Sequence, residues 1–206
     1  MHPEALTKES NEIWPFLKKV PPGFYLAGGT ALALQIGHRI SVDFDFFISD
    51  YISKSLLTAV KKVFLDQSLN VSVNNPDELT VFVNNVKATF LRYPFPLVKP
   101  LKDFEGLKLL DAVEIAATKA YTIGRRGSFK DYIDVYFVLS NKLTTLDEII
   151  NLAEQKYGAD FNARLFLEQL VYLEDISDEN INFLHKPVSK TEIAEFFKEE
   201  IKKIKL

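Results

Sequence analysis

The chain has 206 residues, no cysteine, a formal charge of −3 and 47% hydrophobic residues, among them 17 Phe. That is enough length and apolar content for one large domain or two small ones, while the missing cysteines exclude disulfides and zinc–thiolate sites and fit the cytosol. With no apolar run of roughly eighteen residues no transmembrane helix is expected, the polar, acidic start MHPEALTKESNEIW does not read as a signal peptide, and the negative total makes any nucleic-acid contact depend on a local basic patch.

Pro3–Leu17 is amphipathic in part, with Pro15 placed to kink or end its helix, and is expected over the sheet edge. Pro21-Pro22-Gly23 turns into a short apolar strand, Phe24–Ala27, which Gly28-Gly29 break. Thr30–Ile36 reads as a short helix ended by Gly37. Two glycines before a helix let the backbone approach a ligand, and the N–H groups of the helix start suit an anion, ideally a phosphate. Ser41–Phe47 reads as a strand, on which Asp43 and Asp45 share one face and Val42, Phe44 and Phe46 the other. Two neighbouring carboxylates repel unless a cation sits between them. Mg²⁺ suits such a pair because it takes carboxylate oxygens and substrate phosphates together.

Ser53–Leu65 carries Leu56, Leu57, Val60, Val63 and Phe64 at helical spacing, and Asn70–Asn74 alternates as a strand. Leu79–Val83 and Val86–Tyr93 flank Asn84-Asn85, two residues that tolerate positive φ, so they read as a hairpin. On its second strand Lys87 and Thr89 share a face; Lys87 is read as solvated, with a phosphate contact as the other reading. Tyr93–Pro100 is a proline-rich linker and Gly106–Leu110 a short strand. Helices follow: Ala112–Ile123, opened by an Asp111–Glu114 capping box and broken by Gly124–Gly127; Ser128–Asn141, opened by Ser128 and Asp131; Thr145–Tyr157; Asn162–Tyr172; and a last one from Ser189 into a basic tail of Lys202, Lys203 and Lys205. The change of character near residue 100 divides the chain into an α/β domain, 1–100, and a helical domain, 101–206, expected to close a cleft.

The cradle followed by Asp43-Phe44-Asp45 resembles the signature of the nucleotidyltransferase superfamily, and GGTALALQIGHR with SVDFDFF resembles the AbiEii/AbiGii toxin family, which includes the MenT-type toxins. The resemblance implies an α/β (α+β) fold, a nucleotidyltransferase-like mixed sheet flanked by helices and followed by a C-terminal helical part. It implies that Gly28, Gly29 and Thr30 cradle the phosphates of a nucleoside triphosphate and that Asp43 and Asp45 hold Mg²⁺ or Mn²⁺; between cradle and carboxylates, Arg39 is placed to reach the phosphates and His38 reads as structural. A third strand carboxylate is usual in the superfamily; the matching position is Thr89, which has a hydroxyl and no charge. IAATKAYTIGRRGSFKDYIDVYFVL resembles the later motifs of the family. By that likeness Lys119 binds the triphosphate, Asp131 is the base that readies the acceptor hydroxyl, and Asp134 supports it. Of Arg125 and Arg126 one is expected on phosphate, with Arg125 as the candidate.

Plainer readings of these residues stay open. Asp131 fits a helix cap, Asp134 fits an i,i+4 pair with Lys130, and Lys119 fits a solvated side chain on an alanine-rich helix. The implied function is transfer of a nucleoside monophosphate to an acceptor hydroxyl, at the 3′ end of tRNA or on a protein. The implied setting is the cytoplasm, with a cognate antitoxin and no membrane. Thr89 keeps open an impaired module that binds a nucleotide or a partner without turnover, and a kinase-like phosphotransferase is a further reading.

Overall fold

The computed structural model describes residues 1–173, 175–177 and 179–204; Lys205 of the expected basic tail lies outside them. The chain divides into two compact units, Met1–Pro96 with Pro100–Leu110, and Leu97–Lys99 with Asp111–Leu206.

The first unit holds a seven-stranded mixed sheet: β1 Tyr25–Ala27, β2 Phe44–Ile48, β3 Leu69–Asn74, β4 Glu78–Val83, β5 Val86–Arg92, β6 Lys102–Phe104 and β7 Leu107–Leu109, in the order β3-β4-β5-β2-β1-β7-β6. β2 lies parallel to β5 and antiparallel to β1, and β1 is parallel to β7. One face is the core: Leu26, Phe44, Phe46, Leu79, Val81, Ala88 and Phe90 are fully buried on it. Phe46 stacks on Phe90 with ring centroids 5.1 Å apart. Burying such side chains is the main favourable term in forming the sheet. The β4–β5 hairpin turns as expected on Asn84 and Asn85, at φ 48° and 68°, which pairs Val83 with Val86 and, counting outwards, Thr80 with Thr89. The β6 strand lies outside every expected element. It pairs with β7 through a Glu105-Gly106 turn.

Three helices accompany the sheet in this unit: α1 Lys8–Leu17, α2 Gly28–Ile36 and α3 Leu56–Val63. α1 runs through Pro15 and ends two residues later. It is not confined to the sheet edge, because Trp14 meets Phe44 of β2 as well as Phe104 of edge strand β6.

The second unit is helical: α4 Ala112–Arg126, α5 Phe129–Ser140, α6 Leu146–Tyr157, α7 Ala163–Val171 and α8 Lys190–Lys202. Two expectations change here. α4 does not break at Gly124 but continues to Arg126. Glu114 does not close a capping box, although Asp111 caps the helix through Val113 N–H at 2.9 Å. Instead Glu114 is fully buried, accepting from Val98 N–H and Lys99 N–H at 3.1 and 2.7 Å and from Lys156 Nζ at 2.7 Å. A buried carboxylate must find such partners, and three donors outweigh one helix cap. Among the described residues, no helix is long and apolar enough to cross a membrane.

Candidate active site

The bend after β1 and the start of β2 form the first constellation. α2 begins at Gly28 itself, with Ala27 as its N-cap, so both glycines belong to the first helical turn rather than preceding it. The first four N–H groups of a helix have no intrahelical partner, and those of Gly28, Gly29 and Thr30 are among them. Gly28 sits at φ 65°, and a Cβ there would stand 2.9 Å from Asp45 Oδ2. Only glycine gives both that backbone turn and that approach. The Asp45 carboxylate therefore lies against the start of α2, where the helix dipole favours negative charge.

Asp43 and Asp45 are positioned by different means. Asp45 is a β2 residue, half-buried, paired with Ala27 on one side and Thr89 on the other. Asp43 is exposed and lies just before the strand, which starts at Phe44 rather than Ser41. Its backbone is pinned instead. Ser41 N–H donates to Ala5 O at 2.8 Å. Ser10 Oγ donates to Val42 O at 3.2 Å. The Thr30 hydroxyl, 2.7 Å from Ser41 Oγ, donates to Asp43 O. Val42 does not join the buried face of Phe44 and Phe46; it is 49% exposed, because the chain is not yet in the sheet there.

Thr30 and Arg39, both expected on phosphate, are buried. Thr30 is buried and its hydroxyl is spent on this pin, so only its backbone N–H belongs to the cradle. Arg39 is 4% exposed, and its Nη1 donates to Ile40 O at 3.1 Å. His38 is buried, as a structural histidine would be. Lys87 is half-buried on the strand face of Thr89.

Sequence reasoning missed what stands beside Thr89. Thr80 Oγ1 lies 3.5 Å from Thr89 Oγ1 and donates to Glu78 Oε1 at 2.6 Å. Asp45, Thr89, Thr80 and Glu78 thus occupy one sheet face, with a carboxylate at each end of a hydroxyl pair. The two-residue Asn84-Asn85 turn already carried that signal, since it sets Thr80 opposite Thr89.

The second constellation is in the helical unit. Lys119 Nζ on α4 lies 2.6 Å from Asp131 Oδ1 and 3.2 Å from Asp134 Oδ2 on α5. Asp134 is fully buried and Asp131 nearly so. Asp131 Oδ2 also accepts from Ser128 N–H at 3.0 Å, closing the expected capping box. Asp131 therefore serves cap and ion pair together. Lys130 pairs with Glu179 at 3.3 Å rather than with Asp134. Next to Asp131, burial and then the Asp131 charge push the Tyr132 phenol up to about 12. Arg125, the candidate phosphate ligand, lies 3.7 Å over the Tyr121 ring and donates to Asp160 O at 2.6 Å.

The residues fit a divalent ion shared with a substrate. Among the described residues no group of three or more His, Cys, Asp or Glu is gathered to hold an ion alone. Mg²⁺, however, is ordinarily held by one or two carboxylates plus phosphates and water, and Asp43 and Asp45 are the residues that would supply that share.

A mixed sheet with an acid pair beside a helix start of bare backbone defines a nucleotidyltransferase-like fold. The family model described as "Nucleotidyl transferase AbiEii toxin, Type IV TA system" matches residues 17–205, and the chain belongs to that family of nucleotidyltransferase toxins. It is 35% identical over 185 residues to an uncharacterised protein of Aquifex aeolicus, covering 87% of this chain and 86% of that one. Among solved structures it is similar to MenT4, a nucleotidyltransferase toxin of Mycobacterium tuberculosis, with TM-score 0.60, 17% identity and coverage of 86% and 73% of the two chains. It is also similar to JHP933 of Helicobacter pylori, with TM-score 0.53, 14% identity and coverage of 96% and 95%.

Proposed function

We propose that the protein transfers a nucleoside monophosphate from a nucleoside triphosphate to an acceptor hydroxyl, with the 3′ end of tRNA as first candidate and a protein hydroxyl as second. In this reading it is a cytoplasmic toxin restrained by a cognate antitoxin. The observation that carries it is the Asp45 carboxylate set against the glycine start of α2, with Asp43 pinned two residues away.

The N–H groups of Gly28, Gly29 and Thr30 receive the triphosphate, as a helix start does. Asp43 and Asp45 orient it together with Mg²⁺ (Mn²⁺ has the same ligand preference), which when bound offsets phosphate charge. Lys119 adds positive charge and Asp131 accepts the proton of the acceptor hydroxyl. That oxygen bonds to the α-phosphorus, the bond from it to the bridging oxygen breaks, and pyrophosphate leaves. Catalysis is then positioning and charge neutralisation more than covalent chemistry.

Thr89 favours a second reading, a fold that binds nucleotide without turnover, since a hydroxyl cannot replace a charged third ligand. One experiment separates these readings. Purified protein is given each triphosphate, labelled at the α or at the γ position, with tRNA; pyrophosphate release is followed alongside, and Asp45→Asn serves as control. Label in RNA that the control abolishes supports the proposal. Label only in protein moves the acceptor, label only from the γ position makes it a phosphotransferase, and no pyrophosphate release leaves the binding module.

A further inference from the structure

A cavity of about 250 Å³ opens in the helical unit between the end of α4 and the start of α7, its lining including Tyr121, Gly124, Arg125, Asp160, Phe161 and Asn162. Its shape depends on Gly124. That residue lies inside α4 without a positive φ, and a Cβ there would meet only Leu165 Cδ2, at 4.0 Å. Glycine is less favourable than alanine in a helix, and neither backbone nor packing requires it here. What its missing side chain leaves is the floor of the cavity.

The walls have a consistent chemistry. The Arg125 guanidinium lies over one face of Tyr121, 3.7 Å from the ring centroid, and Tyr157 stacks on the other at 3.9 Å. This makes a layered cationic and aromatic shelf, with Phe161 also lining the cavity. Asn162 spends Oδ1 on the α7 cap, which leaves Nδ2 as a donor, and the exposed Asp160 brings acceptors. Arg126 and Arg164, each next in the chain to a lining residue, are exposed. A guanidinium plane, an aromatic ring in Phe161, and an edge with both donor and acceptor are features that hold an unpaired base, with cations near for its backbone. The volume lies below the roughly 300–1,000 Å³ of sites for drug-sized ligands, so it suits one base rather than a whole nucleotide.

We infer that this cleft seats an unpaired nucleobase of the acceptor RNA, which gives the acidic chain a local RNA contact. The inference rests on the nucleotidyltransferase reading for its substrate class. Arg125 thereby belongs to the acceptor and not to the triphosphate.

The test is fluorescence anisotropy of the full chain with a labelled single-stranded RNA of about twelve nucleotides, beside a direct titration with each unlabelled triphosphate. Two variants are compared, Gly124→Leu, which fills the floor, and Phe161→Ala, which removes a wall. Thermal melting confirms that each folds, and either variant alone suffices. Loss of one stacked base weakens RNA binding roughly 5- to 150-fold, with triphosphate binding unchanged. Weakened triphosphate binding with intact RNA binding overturns the RNA assignment and gives the cleft to the substrate's own base. Unchanged affinity for both in the folded variants overturns the base site altogether and leaves the cleft to a protein side chain. Asp45→Asn separates this from the catalytic reading, because it abolishes incorporation while RNA binding at the cleft persists.

Discussion

Replacing Gly28 by alanine tests how the acid pair is held. Two costs are visible. A Cβ at φ 65° strains the backbone by about 1–2 kcal/mol, which lowers the melting temperature by about 2–8 °C in a chain of this length. The same Cβ comes 2.9 Å from Asp45 Oδ2, with Asp45 Cβ and Cγ behind it at 3.6 and 3.7 Å. The carboxylate end can swing away, so this contact adds little to the stability cost. It does move the oxygen that the proposed chemistry uses, and a misplacement of about 1 Å can cost roughly 100-fold in rate. Gly106→Ala isolates the first cost: Gly106 has φ 89° and nothing within 4 Å of a built Cβ. The assays are thermal melting and incorporation from α-labelled triphosphate. Both variants lose similar stability, and only Gly28→Ala loses incorporation, by roughly 100-fold. Full incorporation by folded Gly28→Ala would falsify the claim that bare backbone at this bend sets the Asp45 carboxylate.

Thr30→Val keeps the shape of the side chain but removes the hydroxyl that holds Asp43 O. It is expected to cost about 1–3 kcal/mol and to lower incorporation, with Thr30→Ser restoring both; urea unfolding and the incorporation assay read this out. Lys156→Met strands the buried Glu114 carboxylate and is expected to cost about 3–5 kcal/mol in urea unfolding. Adding Glu114→Gln recovers part of that, because no charge is then left buried. Tyr132 is neutral in the fold up to about pH 12, whereas an unfolded tyrosine ionises near pH 10. Its contribution to stability is therefore complete below about pH 10 and lost as the pH rises through about 12. Absorbance titration of Tyr132→Phe should lose one phenolate that ionises at about pH 12, and an unchanged curve there would refute the assignment.

Much of the fold was legible because the signals were local. The Asn84-Asn85 turn needs positive φ at two adjacent residues, which Gly, Asn and Asp tolerate best, so hairpin and register followed from two letters. Ser128 with Asp131 and Ser189 with Glu192 form the capping boxes their spacing announced. β6 was not legible because three residues carry no period, and it exists only through its pairing with β7. Gly124 misled for a related reason. Gly-Arg-Arg-Gly looks like a break, yet one glycine costs a helix only about 1 kcal/mol, less than the packing of Ala120 and Ile123, both buried on α4.

The site divides along the same line. Gly28 and Asp45 could be matched as a motif, but the reason they belong together is that Asp45 Oδ2 lies only 2.9 Å from where a Gly28 Cβ would stand. Asp134 shows the limit most sharply. An i,i+4 rule offers Lys130, on its own helix, as partner, but that lysine side chain is 46% exposed while the Asp134 side chain is fully buried. A charge carried into the interior needs a counter-charge that goes with it, and Lys119, 14% exposed, is the cation that does. Glu114 repeats the pattern, leaving the helix cap its spacing suggests for Lys156 and two backbone N–H groups. Spacing along one helix names neighbours correctly and cannot tell which of them the fold will bury. Where an acid is buried, its partner is set by what else is buried with it, so for Lys119, Asp131 and Asp134 the ion pairs had to be read from packing.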